Sequence, residues 1–132
     1  MYLVDTNVWL ERLLDQERAD EVGHFLDQID SEHLFITDFA FHSIGLVMSK
    51  LNRTDGLLRF IQDAFFEGAV DLVRLEPGDI QEVVRLREQF NLDFDDAYQY
   101  YSAEKYDLTI VSFDSDYNRT PRGRKAPGEI RL

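Results

Sequence analysis

Apolar positions in this chain switch between short unbroken runs and helical periods, and that alternation predicts the elements. Tyr2-Leu3-Val4 is a β-favouring run that stops at Asp5-Thr6-Asn7, after which Val8, Trp9, Leu10, Leu13 and Leu14 recur at helical spacing. A second helix is expected over about 17–29, where Ala19, Val22, Phe25, Leu26 and Ile29 form one amphipathic face. Leu34-Phe35-Ile36 reads as a buried strand. Thr37 or Asp38 then caps a third helix through about 51, and a fourth covers 57–66, ended by Gly68. The alternation in 70–75 predicts another strand. Pro77-Gly78-Asp79 opens a helix with Ile80, Val83, Val84, Leu86 and Phe90 on its apolar side, and a further helix is expected over 97–106. Leu108-Thr109-Ile110-Val111-Ser112 is short, β-branched and largely apolar, as a central parallel strand requires. The segment after it, with Pro121, Gly123, Pro127 and Gly128, reads as loop, and 129–132 alternates in the manner of a short edge strand.

Strands alternating with helices imply parallel pairing through right-handed crossovers, hence an α/β fold: a three-layer α/β/α sandwich around a mainly parallel sheet. The length of 132 residues and an apolar share of 44% suit one domain over 1–132. No internal repeat or low-complexity tract interrupts it.

Composition then narrows the chemistry. The chain has no cysteine, which excludes disulfides, thiolate catalysis and cysteine-held zinc or iron–sulfur sites. The apolar run before Asp5 is too short for a signal peptide or a membrane span, so a cytoplasmic protein is expected. The net charge of −12 argues against a phosphate-bearing partner, but it is unevenly spread. From position 119 onward stand Arg119, Arg122, Arg124, Lys125 and Arg131 against Glu129 alone, so this end is +4 and the remainder −16.

In an open parallel sheet the binding crevice lies beyond the carboxyl ends of the strands. Asp5 follows the first predicted strand, and Asp114 and Asp116 follow the last. Asp96 stands at the start of the helix that leads into that last strand. Each also has a purely structural reading: Asp5 as a helix cap, Asp95 and Asp96 as acids heading a helix whose dipole favours them, one of the pair being only a cap, and Asp114 and Asp116 as turn formers. Their conjunction favours a shared pocket. Carboxylates so gathered repel by roughly 4 kcal/mol per pair at an effective dielectric of about 20. A cation must balance them, and an oxygen-only set suits Mg²⁺ or Mn²⁺, which activates water and neutralises charge growing on a phosphate. Hydrolysis of a phosphodiester bond is the expected reaction.

The run Leu3-Val4-Asp5-Thr6-Asn7-Val8-Trp9, the pair Asp96-Ala97 with Ala103 beyond it, and Ser112-Phe113-Asp114-Ser115-Asp116-Tyr117 together resemble the PIN-domain family over nearly the whole chain. The resemblance implies a Mg²⁺- or Mn²⁺-dependent ribonuclease, of the kind that serves as a VapC-type toxin in toxin–antitoxin pairs. It implies Asp5, Asp96, Asp114 and Asp116 as metal-site and catalytic carboxylates, with Thr6, Asn7 and Ser112 as the polar residues supporting them. It also implies a homodimer and a cognate antitoxin that silences the groove.

One departure stands out. The family usually carries a glutamate in the helix after the second strand, and the corresponding position here is Ser43. Asp38 is the candidate substitute metal ligand and His42 a poorer one, although an N-terminal helix acid and a packing histidine are the plainer readings. His24 and His33 have no zinc-like spacing. Arg119, Arg122, Arg124 and Lys125 are candidate RNA contacts, equally readable as a solvated loop. Tyr98, Tyr100, Tyr101 and Tyr106 read better as core than as base-stacking residues.

The absent glutamate also admits a catalytically weak or inactive module that only binds RNA or protein. A phosphotransfer domain fits less well. The phosphatase pattern wants a second aspartate where Asn7 stands, and a receiver wants a lysine where aspartates follow Ser112.

Overall fold

A computed structural model describes residues 1–131. Its strands are β1 (Tyr2–Val4), β2 (Leu34–Thr37), β3 (Asp71–Val73) and β4 (Thr109–Val111). Its helices are α1 (Thr6–Leu13), α2 (Ala19–Gln28), α3 (Asp38–Lys50), α4 (Thr54–Ile61), α5 (Ile80–Phe90) and α6 (Phe94–Tyr106). The strands form one sheet in the order β3-β2-β1-β4, and every pairing is parallel. Tyr2 lies opposite Leu34 on one side and Thr109 on the other, so the earliest strand is central.

Successive residues of a strand face opposite sides, and this divides the apolar side chains into two cores. Val4, Ile36 and Val111 pack with Val8, Trp9, Val22, Phe25, Ala40, Ile44 and Phe60 from α1 to α4. Leu3, Val73 and Ile110 pack with Val83, Leu86, Ala97, Tyr100 and Ala103 from α5 and α6. The result is the three-layer α/β/α sandwich that the alternation of periods predicts.

Several boundaries differ from the periodic reading. The fourth helix begins at Thr54 and ends in a π-helical turn, Gln62–Glu67. Gly68 closes that turn by donating to the Asp63 carbonyl, and a Cβ there would come within 2.8 Å of two backbone oxygens. The sixth helix starts at Phe94, so Asp95 and Asp96 occupy its first turn, where the helix dipole favours acids. The edge strand expected over 129–132 does not form across 129–131, and Leu132 lies outside the described residues. Pro127 instead starts a short 3-10 turn, which Glu129 closes by accepting from the Ala126 N–H at 2.9 Å. The ladder is extended instead by Lys125, whose N–H donates to Ile110 and whose carbonyl accepts from Ser112. Among the described residues no helix is long and apolar enough to cross a membrane.

Candidate active site

Because all four strands run the same way, their carboxyl ends open on one rim, and the polar residues that follow β1 and β4 meet there. Asp5 caps α1, accepting from the Thr6 N–H at 2.8 Å. It is buried, and a carboxylate taken out of water costs several kcal/mol unless donors replace the solvent. The Gln99 amide donates to Oδ1 at 3.0 Å, the Ser112 hydroxyl to Oδ2 at 2.8 Å, and the Tyr117 hydroxyl lies 3.3 Å from Oδ2. Burial still pushes the Asp5 carboxyl above its ordinary range, against the pull of those hydrogen bonds.

Ser112 and Asn7 knit the two strand ends together. The Ser112 oxygen accepts from the Asp114 N–H at 3.0 Å and from the Asn7 amide at 3.3 Å, while the Asn7 carbonyl accepts from the Phe113 N–H at 3.2 Å. Asp114 then turns the chain by accepting from the Asp116 N–H at 2.8 Å, opening a 3-10 turn over Ser115–Arg119.

Carboxylate oxygens of Asp96, Asp114 and Asp116 all lie within 4.8 Å of one another. Burial, a hydrogen bond with the Asp114 carboxyl, and the charges of Asp114 and Asp5 push the Asp96 carboxyl up to about 7. Such crowding is the usual mark of a site that expects a cation. Three hard oxygen donors suit Mg²⁺ or Mn²⁺, so the residues present fit the ion that the sequence implies. Asp5 stands beside this trio, joined to Asp96 through Tyr117, whose hydroxyl is 3.3 Å from Asp96 Oδ1.

Asp38 is not brought to the cluster. Its Oδ1 accepts from the Phe39 N–H and from the Tyr98 hydroxyl, both at 2.9 Å, and it lines a separate groove with His42, Phe41, Leu46 and Leu57. Ser43 does face the site, sharing a cavity of about 240 Å³ with Asp5, Asn7, Asp96 and Gln99. Asp95, which reads from sequence as a helix-end acid, lines the same cavity.

The basic candidates divide. Arg119 pairs with Asp116 at 3.1 Å and donates to the carbonyls of Phe90 and Asn91, while Arg122 pairs with Asp107 and donates to Leu108. Arg124 donates to the Ser112 carbonyl at 3.1 Å, and its buried Nε has no partner among the described residues. The Lys125 side chain is exposed. Tyr98 and Tyr100 are buried, Tyr101 is half-buried, and Tyr106 is exposed with its hydroxyl on the Arg74 carbonyl.

Sequence reasoning missed Gln99 and Tyr117. Gln99 lies one helical turn after Asp96, on the same face, and Tyr117 directly follows Asp116. Those positions were the only signal, since glutamine and tyrosine on such segments pass as ordinary core.

The aspartates thus gather as one acidic cluster at the rim of the parallel sheet. The PIN domain model matches residues 2–123, and the chain belongs to the PIN-domain family, whose members are generally nucleases. No curated protein matches it. Solved structures do, at the level of fold. FitAcB from Neisseria gonorrhoeae superposes with a TM-score of 0.80 at 17% identity, over 98% of this chain and 100% of that one. A toxin–antitoxin complex from Klebsiella pneumoniae gives 0.77 at 19%, over 98% and 100%. VapC20 from Mycobacterium tuberculosis, a sarcin–ricin loop cleaving toxin, gives 0.76 at 10%, over 89% and 93%.

Proposed function

We propose that this chain is a metal-dependent endoribonuclease and the toxin of a toxin–antitoxin pair. The observation that carries the reading is the convergence of Asp96, Asp114 and Asp116 within 4.8 Å at the strand rim, with Asp5 tied in beside them. In this reading the four aspartates would hold Mg²⁺ or Mn²⁺, and the ion would supply activation of water at neutral pH and neutralise charge on the phosphate. Thr6, Asn7, Ser112 and Gln99 fix the carboxylates, so little reorganisation is left for the moment of reaction. Arg124 and Lys125 lie on the segment paired with β4, suited to a phosphate backbone approaching the rim. A single PIN domain acting in the cytoplasm, a homodimer and an antitoxin partner belong to the same proposal. The antitoxin is supported by the toxin–antitoxin complex among the structures of like fold.

The test is cleavage of a structured RNA pool by the purified protein with Mn²⁺, Mg²⁺ or EDTA, beside Asp96→Asn. Cutting that needs the metal and vanishes in the variant is expected. Ser43 on the cavity wall, where the family's glutamate is expected, favours a second reading as a non-catalytic binding module. RNA binding without cutting by a folded, metal-loaded wild type establishes that reading instead.

A further inference from the structure

Three segments that carry the acids meet on one side chain. Tyr117 is fully buried, and its ring belongs to the core between the sheet and α5–α6. Its own 3-10 turn carries Asp116 and is capped by Asp114. Its hydroxyl reaches Asp5 Oδ2, at the end of β1, and Asp96 Oδ1, on the first turn of α6, at 3.3 Å in both cases.

A buried hydroxyl left unpaired is costly, so this phenol is held by its carboxylates as much as it holds them. It has one proton to give. Serving two acceptors with one proton requires both oxygens within reach of the same point, which draws Asp5 and Asp96 together against their repulsion. A phenylalanine would fill the same space and leave that repulsion unanswered.

We propose that Tyr117 is a positioning residue of the metal site: its hydroxyl ties Asp5 to Asp96 and holds both carboxylates, with the Asp114–Asp116 turn, at the spacing a divalent cation requires. The inference rests on the reading of the cluster as a metal centre.

The test is calorimetric titration of Mn²⁺ into the full chain and into Tyr117→Phe, with melting temperatures of both in EDTA. The expected result is a folded variant whose Mn²⁺ affinity is about tenfold lower or worse, the range in which residues behind metal ligands act. Fluorotyrosine at position 117, which keeps the hydroxyl, should restore the affinity. Equal or tighter Mn²⁺ binding by a variant that melts lower assigns the phenol to packing alone and overturns the inference while leaving the metal centre standing. A wild type that takes up no Mn²⁺ overturns the metal reading and the inference together.

Discussion

Gln99 is strung between two strand ends: its amide nitrogen donates to Asp5 Oδ1 at 3.0 Å, and its carbonyl accepts from the Thr37 hydroxyl. Thr37 in turn accepts from the Ala40 N–H at 2.9 Å as the cap of α3, which leaves its proton for Gln99 and so fixes which way the amide points. Gln99→Leu should therefore cost about 1–3 kcal/mol of stability, because a buried hydroxyl and a buried carboxylate each lose a partner. It should also weaken Mn²⁺ binding. Urea unfolding and calorimetry check the two effects separately.

The metal-free protein should lose stability as pH rises. The Asp96 carboxyl titrates near 7 in the folded chain, above the value of about 4 in an unfolded one, so the folded state holds the extra proton between those limits. Its stabilising contribution is complete below about pH 4 and is lost progressively up to about pH 7. Unfolding in EDTA across that window should show wild type falling relative to Asp96→Asn. Saturating Mn²⁺ at neutral pH should reverse the order.

Ser43→Glu should act in opposite directions on the metal-free and metal-bound protein. A carboxylate on that cavity wall joins Asp95, Asp96 and Asp5, and the added repulsion should lower the melting temperature in EDTA. The same charge should tighten Mn²⁺ binding and raise RNA cleavage. Thermal melts with and without Mn²⁺, beside initial cleavage rates, decide it.

Lys125→Ala should weaken RNA binding at low salt and reduce the slope of log affinity against log salt by about one, as loss of a single phosphate contact does. Arg122→Ala should change the slope less, since that guanidinium is spent on Asp107 and the Leu108 carbonyl. Filter binding across a salt series gives both slopes.

The sheet was legible because its strands are short, apolar and followed by polar breaks, a pattern that local sequence carries by itself. Asp5, Asp114 and Asp116 could be placed on one rim because a parallel sheet assigns a direction to every strand, and hence a side to whatever follows it, and Asp96 because the helix leading into β4 has to start at that same rim. Gln99, Tyr117 and Asp95 could not be named. Whether a glutamine pairs with Thr37 and Asp5 depends on how α6 is rotated against the sheet, which its apolar pattern does not specify because both faces are largely buried. Asp38 stands apart from the cluster for the complementary reason. It follows a strand as the rule asks, but the Tyr98 hydroxyl and the Phe39 N–H hold it toward the next groove. The end of the chain misled because Glu129 answers the Ala126 N–H locally, and a local partner won over a strand that alternation alone suggested.

The central place of β1 has a consequence in time. β1 is made before the six helices and the other strands, yet one of its two partner strands, β4, follows all of them, so the sheet closes only once the whole segment between the two has been made. Asp5 cannot meet Asp114 and Asp116 before then. A chain made only as far as α6 therefore carries Asp5 and Asp96 without the site, and the acidic cluster comes into being only when β4 and the turn after it join the sheet.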